Sequence, residues 1–275
     1  MKWTPGGVSG NVEDQRSGGG FGGKGLGLGG LVIAGILSLI FGRDFITPLL
    51  MNEGGGSPAR VDQARDRAEE PAVQFVSFVL DDAQQTWKRV LGPLYVDAKL
   101  VLFREAVQSG CGTAGAETGP FYCPADQKVY IDLSFFDELD QKFGAPGDFA
   151  QAYVLAHEIG HHVQTLLGVS QKVRQAQSRN PSAANDLSVR MELQADCFSG
   201  VWGHSTNQRN ILEAGEVQEG LAAAAAVGDD RIQRQARGQV NPESFTHGSS
   251  QQRQQWFLKG FESGDIAACD TFAGR

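Results

Sequence analysis

The stretch from Leu26 to Phe41, LGLGGLVIAGILSLIF, carries no charged side chain, and it divides the chain into parts suited to different surroundings. With one glycine on either side it reaches 18 uncharged residues, the short end of what a helix needs to cross a bilayer. A helix of a soluble core shows a polar face, and this run shows none. It is longer than the apolar part of a cleaved signal peptide, and the following GRDFITPLL lacks a small-x-small cleavage pattern. Residues 26–42 are therefore expected to be one transmembrane helix, a retained signal anchor. Lys2, Arg16 and Lys24 precede the run, while only Arg43 follows it closely. The positive-inside rule then predicts a single-pass protein of the cell membrane, with a cytoplasmic N-terminus and the rest outside.

The segments around the run bury little. Residues 1–25 are dominated by glycine and polar side chains and are expected to be disordered. Residues 43–70 contain charges, the glycine run Gly54-Gly55-Gly56 and Pro58, the composition of a linker. The folded domain is expected over residues 71–275. Hydrophobic residues make up 41% of the chain and aromatics 9%, enough for a core. A net charge of −8 argues against a nucleic-acid partner, which needs a basic footprint.

Within that domain, Val76, Val79, Leu80, Ala83, Trp87 and Val90 recur at helical spacing, which predicts an amphipathic helix over 72–91. Tyr95 to Phe103 and Lys128 to Leu133 are rich in Val, Ile, Tyr and Phe and predict strands. Everything after Asp148 has the pattern of helices separated by short loops. The fold class is thus α+β and mainly helical, with a small sheet, preceded by one transmembrane helix. The four cysteines form no CxxC pair, so a structural zinc ribbon is not indicated. In an oxidising compartment, Cys111 with Cys123 and Cys197 with Cys269 are the candidate disulfides; the alternative is four buried thiols.

Asp148 and Gly168 suit the start and stop of a helix that contains His157-Glu158-Ile159-Gly160-His161. Residues four apart share a helix face, so His157 and His161 can present two imidazoles to one tetrahedral Zn²⁺. Glu158 follows the first of them, where a carboxylate can take a proton from an activated water. Gly160 leaves room for a close neighbour. Two exposed histidines on an ordinary helix are the bland alternative, but the surrounding Tyr153, Val154, Leu155, Ile159, Val163 and Leu166 are apolar.

A catalytic zinc needs a third protein ligand. In the second helical stretch, Leu187 to Trp202, Glu192 and Asp196 lie four apart. Glu192 is the candidate ligand, and Asp196 the candidate acceptor for a ligand imidazole N–H. His162 points about 100° away from His161 and cannot join the same tetrahedron. His204 has no evident role. His247 precedes a helix that Ser249 can cap, a position from which a donor can stabilise an oxyanion. Arg253 is placed to brace Asp196 or Glu192.

With HEIGHH, ELQADC and FTHGSSQQRQQWF, the chain resembles a family of bacterial, membrane-anchored neutral zinc metallopeptidases over nearly its whole length. The ELQAD element is also similar to the ExxxD element of glutamate-zincins, including a membrane-associated group with a histidine followed six residues later by arginine. His247 and Arg253 have that spacing, whereas Gly248 stands where that group usually has proline. The resemblance implies a zincin-like peptidase domain that uses Zn²⁺ to hydrolyse a peptide or protein substrate. The alternative is a membrane-anchored interaction module on a zincin scaffold, without hydrolysis. Glu158 weighs against it, because a structural metal site has no use for a general base.

Overall fold

The computed structural model describes residues 1–16 and 63–273. The expected membrane span and most of the expected linker lie outside the described residues. Among those described, no helix is long and apolar enough to cross a membrane.

The described chain opens with strand β1 (Val12–Asp14) and continues with helix α1 (Gln63–Leu91), β2 (Lys99–Phe103), β3 (Ala106–Ser109), β4 (Gly112–Gly115), β5 (Phe121–Cys123) and β6 (Lys128–Asp132). The rest is helical: α2 (Ser134–Gln141), α3 (Asp148–Leu166), α4 (Val169–Arg179), α5 (Ala184–Gln208), α6 (Glu216–Ala226), α7 (Asp229–Arg237) and α8 (Ser250–Ser263). The expected mainly helical α+β class holds. The main sheet has the order β1-β2-β6-β5, with β1, β2 and β6 parallel and β5 antiparallel to β6. The period of two along β2 sorts its side chains onto two faces. Leu100 and Leu102 join the large core under the helices, while Val101 and Phe103 pack with Val107, Cys123 and Tyr130 beneath the β3–β4 hairpin.

Three expectations need correction. Residues 1–16 are not disordered: β1 pairs with β2 from Val12↔Leu100 to Asp14↔Leu102, and Trp3 packs edge-on against Phe75. The buried Met1 ammonium pairs with Asp148 and Glu216. Composition misjudged this segment because its order comes from a ladder and ion pairs with distant residues. Next, helix α1 already runs from Gln63, so 63–70 is not linker. Its acidic side chains are tied down by Arg16 on Glu69 (2.9 Å) and by Arg104 on Asp66 and Glu69. These ties hold the turns before Pro71, a residue that would otherwise mark a boundary. Finally, Asp148 does not cap α3. Gly147 occupies the N-cap at φ 114°, and the Glu219 carboxylate accepts from the Phe149 N–H instead (3.2 Å).

Along α1 the predicted apolar face is buried at Val76, Val79, Leu80, Ala83 and Trp87, whereas Val90 is exposed. The two disulfides form as Cys111–Cys123 and Cys197–Cys269, with Cα separations of 5.8 and 5.5 Å. Helices α3, α5 and α8 pack around glycines. A Cβ on Gly160 would stand 3.0 Å from the Ala195 carbonyl oxygen, and one on Gly260 would stand 1.9 Å from that of Cys197. Glycine is what lets α5 approach both neighbours this closely, and that approach sets the distance between the side chains that follow.

Candidate metal centre

Helix α3 delivers His157, Glu158 and His161, and α5 crosses it with Glu192 and Asp196 on the facing side. The Glu192 carboxylate lies 3.2 Å from His157 Nε2 and 3.4 Å from His161 Nε2. One donor atom from each of His157, His161 and Glu192 falls within a 4.8 Å cluster. In a tetrahedron with bonds of about 2.1 Å, neighbouring ligands stand about 3.4 Å apart; each imidazole meets a different Glu192 oxygen near that spacing, Oε2 for His157 and Oε1 for His161.

The other nitrogen of each imidazole is engaged. His157 Nδ1–H donates to Asp196 Oδ1 (2.9 Å), and His161 Nδ1–H donates to Gln164 Oε1 (2.9 Å). Gln164 is fixed in turn by donating to the Met191 carbonyl (2.7 Å). Both Nε2 lone pairs are thereby aimed at Glu192. The donor set therefore fits a divalent zinc.

Asp196 is fully buried, and so needs a compensating charge. Arg253 of α8 supplies it with a two-pronged contact, Nε to Oδ2 at 2.8 Å and Nη2 to Oδ1 at 2.9 Å. The Tyr153 hydroxyl also donates to Asp196. Burial alone would raise the Asp196 pKa, but the Arg253 and His157 charges outweigh it and hold the carboxyl below its ordinary value. For His157 burial opposes charging, yet Asp196 and Glu192 prevail and lift the imidazole to about 9. His161 is likewise raised, by Glu192 against burial, and Glu192 is held well below the usual carboxylate range.

Tyr153, His157, His161, Glu192 and Arg253 line a cleft of about 680 Å³, which also takes in Glu158, Tyr122, Phe135, Phe143, Val173 and His247. The Glu158 carboxylate has no hydrogen-bond partner among the described residues. His247 lies in the loop before α8, whose N-terminus carries the capping box of Ser249 and Gln252. Its half-exposed ring reaches Asp229 at the start of α7 (Nδ1 to Oδ1, 3.2 Å). Asp229 Oδ2 also accepts the backbone N–H groups of Thr246, His247 and Gly248, so one carboxylate fixes both loop and ring. The Asp229 carboxylate raises the His247 pKa against the effect of burial.

Sequence reasoning missed Tyr153, Gln164 and Asp229. Tyr153 precedes His157 by one helical turn, and that spacing was the available signal. Nothing local marks Asp229, whose partner is 18 residues away. Of the other histidines, His162 is a core residue: its Nε2–H donates to the Val96 carbonyl (2.7 Å) and its Nδ1 faces the Tyr122 hydroxyl (3.1 Å). His204 Nδ1–H donates to the Phe261 carbonyl (2.7 Å), away from the cleft.

Residues 1–272 match the family described as "Putative neutral zinc metallopeptidase". The chain belongs to this family. It is 49% identical over 288 aligned positions to the uncharacterized protein YpfJ of Escherichia coli, covering 99% of both chains. An uncharacterized protein of Mycobacterium bovis is 47% identical over 198 positions, 68% of this chain and 66% of the relative. No solved structure was found to match. The family match spans the first sixteen residues together with the helices that carry His157, His161 and Glu192, in keeping with their shared fold.

Proposed function

We propose that this chain is a membrane-attached zinc peptidase that hydrolyses peptide bonds with Glu158 as general base. The observation that carries the reading is the cluster of one donor atom each from His157, His161 and Glu192, within 4.8 Å of one another, in a cleft that also holds Glu158. His157, His161 and Glu192 would hold the zinc, which supplies Lewis acidity: it lowers the pKa of a water and polarises a carbonyl. A structural zinc has a closed shell of four protein ligands, whereas three ligands beside an open cleft are the catalytic pattern.

The chain's own residues account for the remaining steps. Glu158 takes a proton from the attacking water and returns it to the departing amine nitrogen. Asp196 holds the His157 ring in the tautomer that leaves Nε2 free, and Arg253 keeps Asp196 ionised. His247, oriented by Asp229, offers an N–H to the oxyanion of the tetrahedral intermediate. The cleft's aromatic and aliphatic walls (Phe135, Phe143, Val173) suit peptide side chains.

Two disulfides and the apolar run Leu26–Phe41 support placing the domain outside the bacterial cell membrane. The test is Glu158→Gln, assayed for zinc content and for cleaved protein termini across the proteome against wild type. Zinc is expected to be retained and the wild-type cleavages to vanish; unchanged cleavage would refute the assignment.

A further inference from the structure

We infer that the N-terminal strand and the peptidase body occupy the same side of the membrane. The inference builds on the membrane attachment proposed above and replaces the opposite-side placement of N-terminus and domain expected from the apolar run and the charges beside it.

It stands on contacts at both ends of the first sixteen residues. In the sheet, Leu100 N–H donates to the Asn11 carbonyl (2.9 Å) and Gln15 N–H to that of Leu102 (2.8 Å). Side chains repeat the link: Lys128 Nζ lies 2.6 Å from Glu13 Oε2, and Lys99 Nζ lies 2.8 Å from Asn11 Oδ1. At the start, Lys2 N–H donates to the Ile211 carbonyl (2.8 Å), and the Met1 ammonium is buried against Asp148, the first residue of the helix that carries His157 and His161. At the other end, Arg16 reaches Glu69 of helix α1 at 2.9 Å. A single crossing would put these partners on opposite sides of a hydrocarbon layer of about 30 Å. Hydrogen-bonded strands stand about 4.8 Å apart, and no ladder spans that layer.

The structure also removes the charge bias. Lys2 and Arg16 belong to the folded body, and Arg16 is buried between Asp14 and Glu69. Lys24 and Arg43 then flank the apolar run one on each side, which favours neither orientation.

The test uses the full chain in cells, with exposed positions Val8→Cys and Lys142→Cys made separately; the unsubstituted chain, whose four cysteines are paired in the structure, serves as the blank. Spheroplasts are treated with a membrane-impermeant maleimide before and after permeabilisation, and each variant is followed through membrane sedimentation. The expected result is equal labelling of both cysteines before permeabilisation. Labelling of one with protection of the other overturns the inference. Equal protection of both upholds the common side and refutes the outward placement. Equal labelling of protein that does not sediment with membranes upholds the common side and refutes the attachment. As a check on β1 itself, a short bismaleimide is expected to bridge Glu13→Cys and Lys128→Cys in the same cells, and failure to bridge counts against the inference.

Discussion

Replacing Asp196 by Asn removes one charge from the centre of the site while leaving its shape. In the wild type, both Asp196 oxygens face Arg253, and Oδ1 also receives His157 Nδ1–H and the Tyr153 hydroxyl. Asp196 is 0% and Arg253 3% exposed, so water cannot replace the lost partner. Breaking a buried pair from one side costs about 3–5 kcal/mol, because the remaining charge stays buried without compensation. At about 1.4 kcal/mol per tenfold, the folding constant falls by roughly a hundred- to several-thousand-fold. The measurement is urea unfolding at neutral pH with the disulfides intact, repeated for Arg253→Gln and for the double variant. The double variant is expected to lose less than the sum of the single losses, since neither partner is then stranded. Additivity within about 0.5 kcal/mol would refute the account. The pH dependence has a fixed sign. The Asp196 pKa is depressed in the folded state, so its contribution is complete above its ordinary value of 3.8 and is lost as pH falls through the lower folded value. The advantage of wild type over Asp196→Asn should therefore shrink on acidification, and its share from the charged His157 should be lost as pH rises through about 9.

Three further outcomes follow from the geometry. Glu192→Ala leaves two nitrogens for the metal, and zinc titration against a chelator should show loss of the tight site; retained stoichiometry at unchanged affinity would place the third ligand elsewhere. His247→Ala should keep zinc and lower kcat by about 10²–10³, as for loss of one oxyanion donor, with Asp229→Asn giving a smaller loss of the same kind, read by steady-state kinetics on a peptide cleaved by the wild type. Zinc binding should release protons and tighten as pH rises towards about 9, because the metal displaces the proton that Asp196 and Glu192 hold on His157. The metal-free protein runs the other way. That imidazole's stabilisation is complete below its ordinary 6.5 and is lost as pH rises through about 9, so calorimetry should find the largest zinc-induced gain in Tm on the alkaline side.

Much of the site was legible because it follows helical periodicity. His157 and His161 on one face, and Glu192 and Asp196 on another, are consequences of a spacing of four, and the close approach read from Gly160 appears as its contact with Ala195. The sheet was legible only in part. Lys99–Phe103 and Lys128–Asp132 announce themselves by composition, but β1 and β5 are three residues each and exist because partners exist. Helix α1 was misread at its start for a similar reason: Arg16 and Arg104, distant in sequence, hold the turns before Pro71.

What the sequence determined by itself is local: which segments are helical, which face of each is apolar, and which residues can share a face with a metal. Those properties depend on neighbours within a turn or two. Tertiary structure decided everything that needs two distant segments to meet. It brought Glu192 to the two imidazoles, gave Asp196 both a histidine and an arginine, put Asp229 behind His247, and seated the first sixteen residues in the same body as the helix that carries His157 and His161. The last of these altered the reading most. Charge counting treats the ends of an apolar run as independent, whereas a hydrogen-bonded strand ties them together.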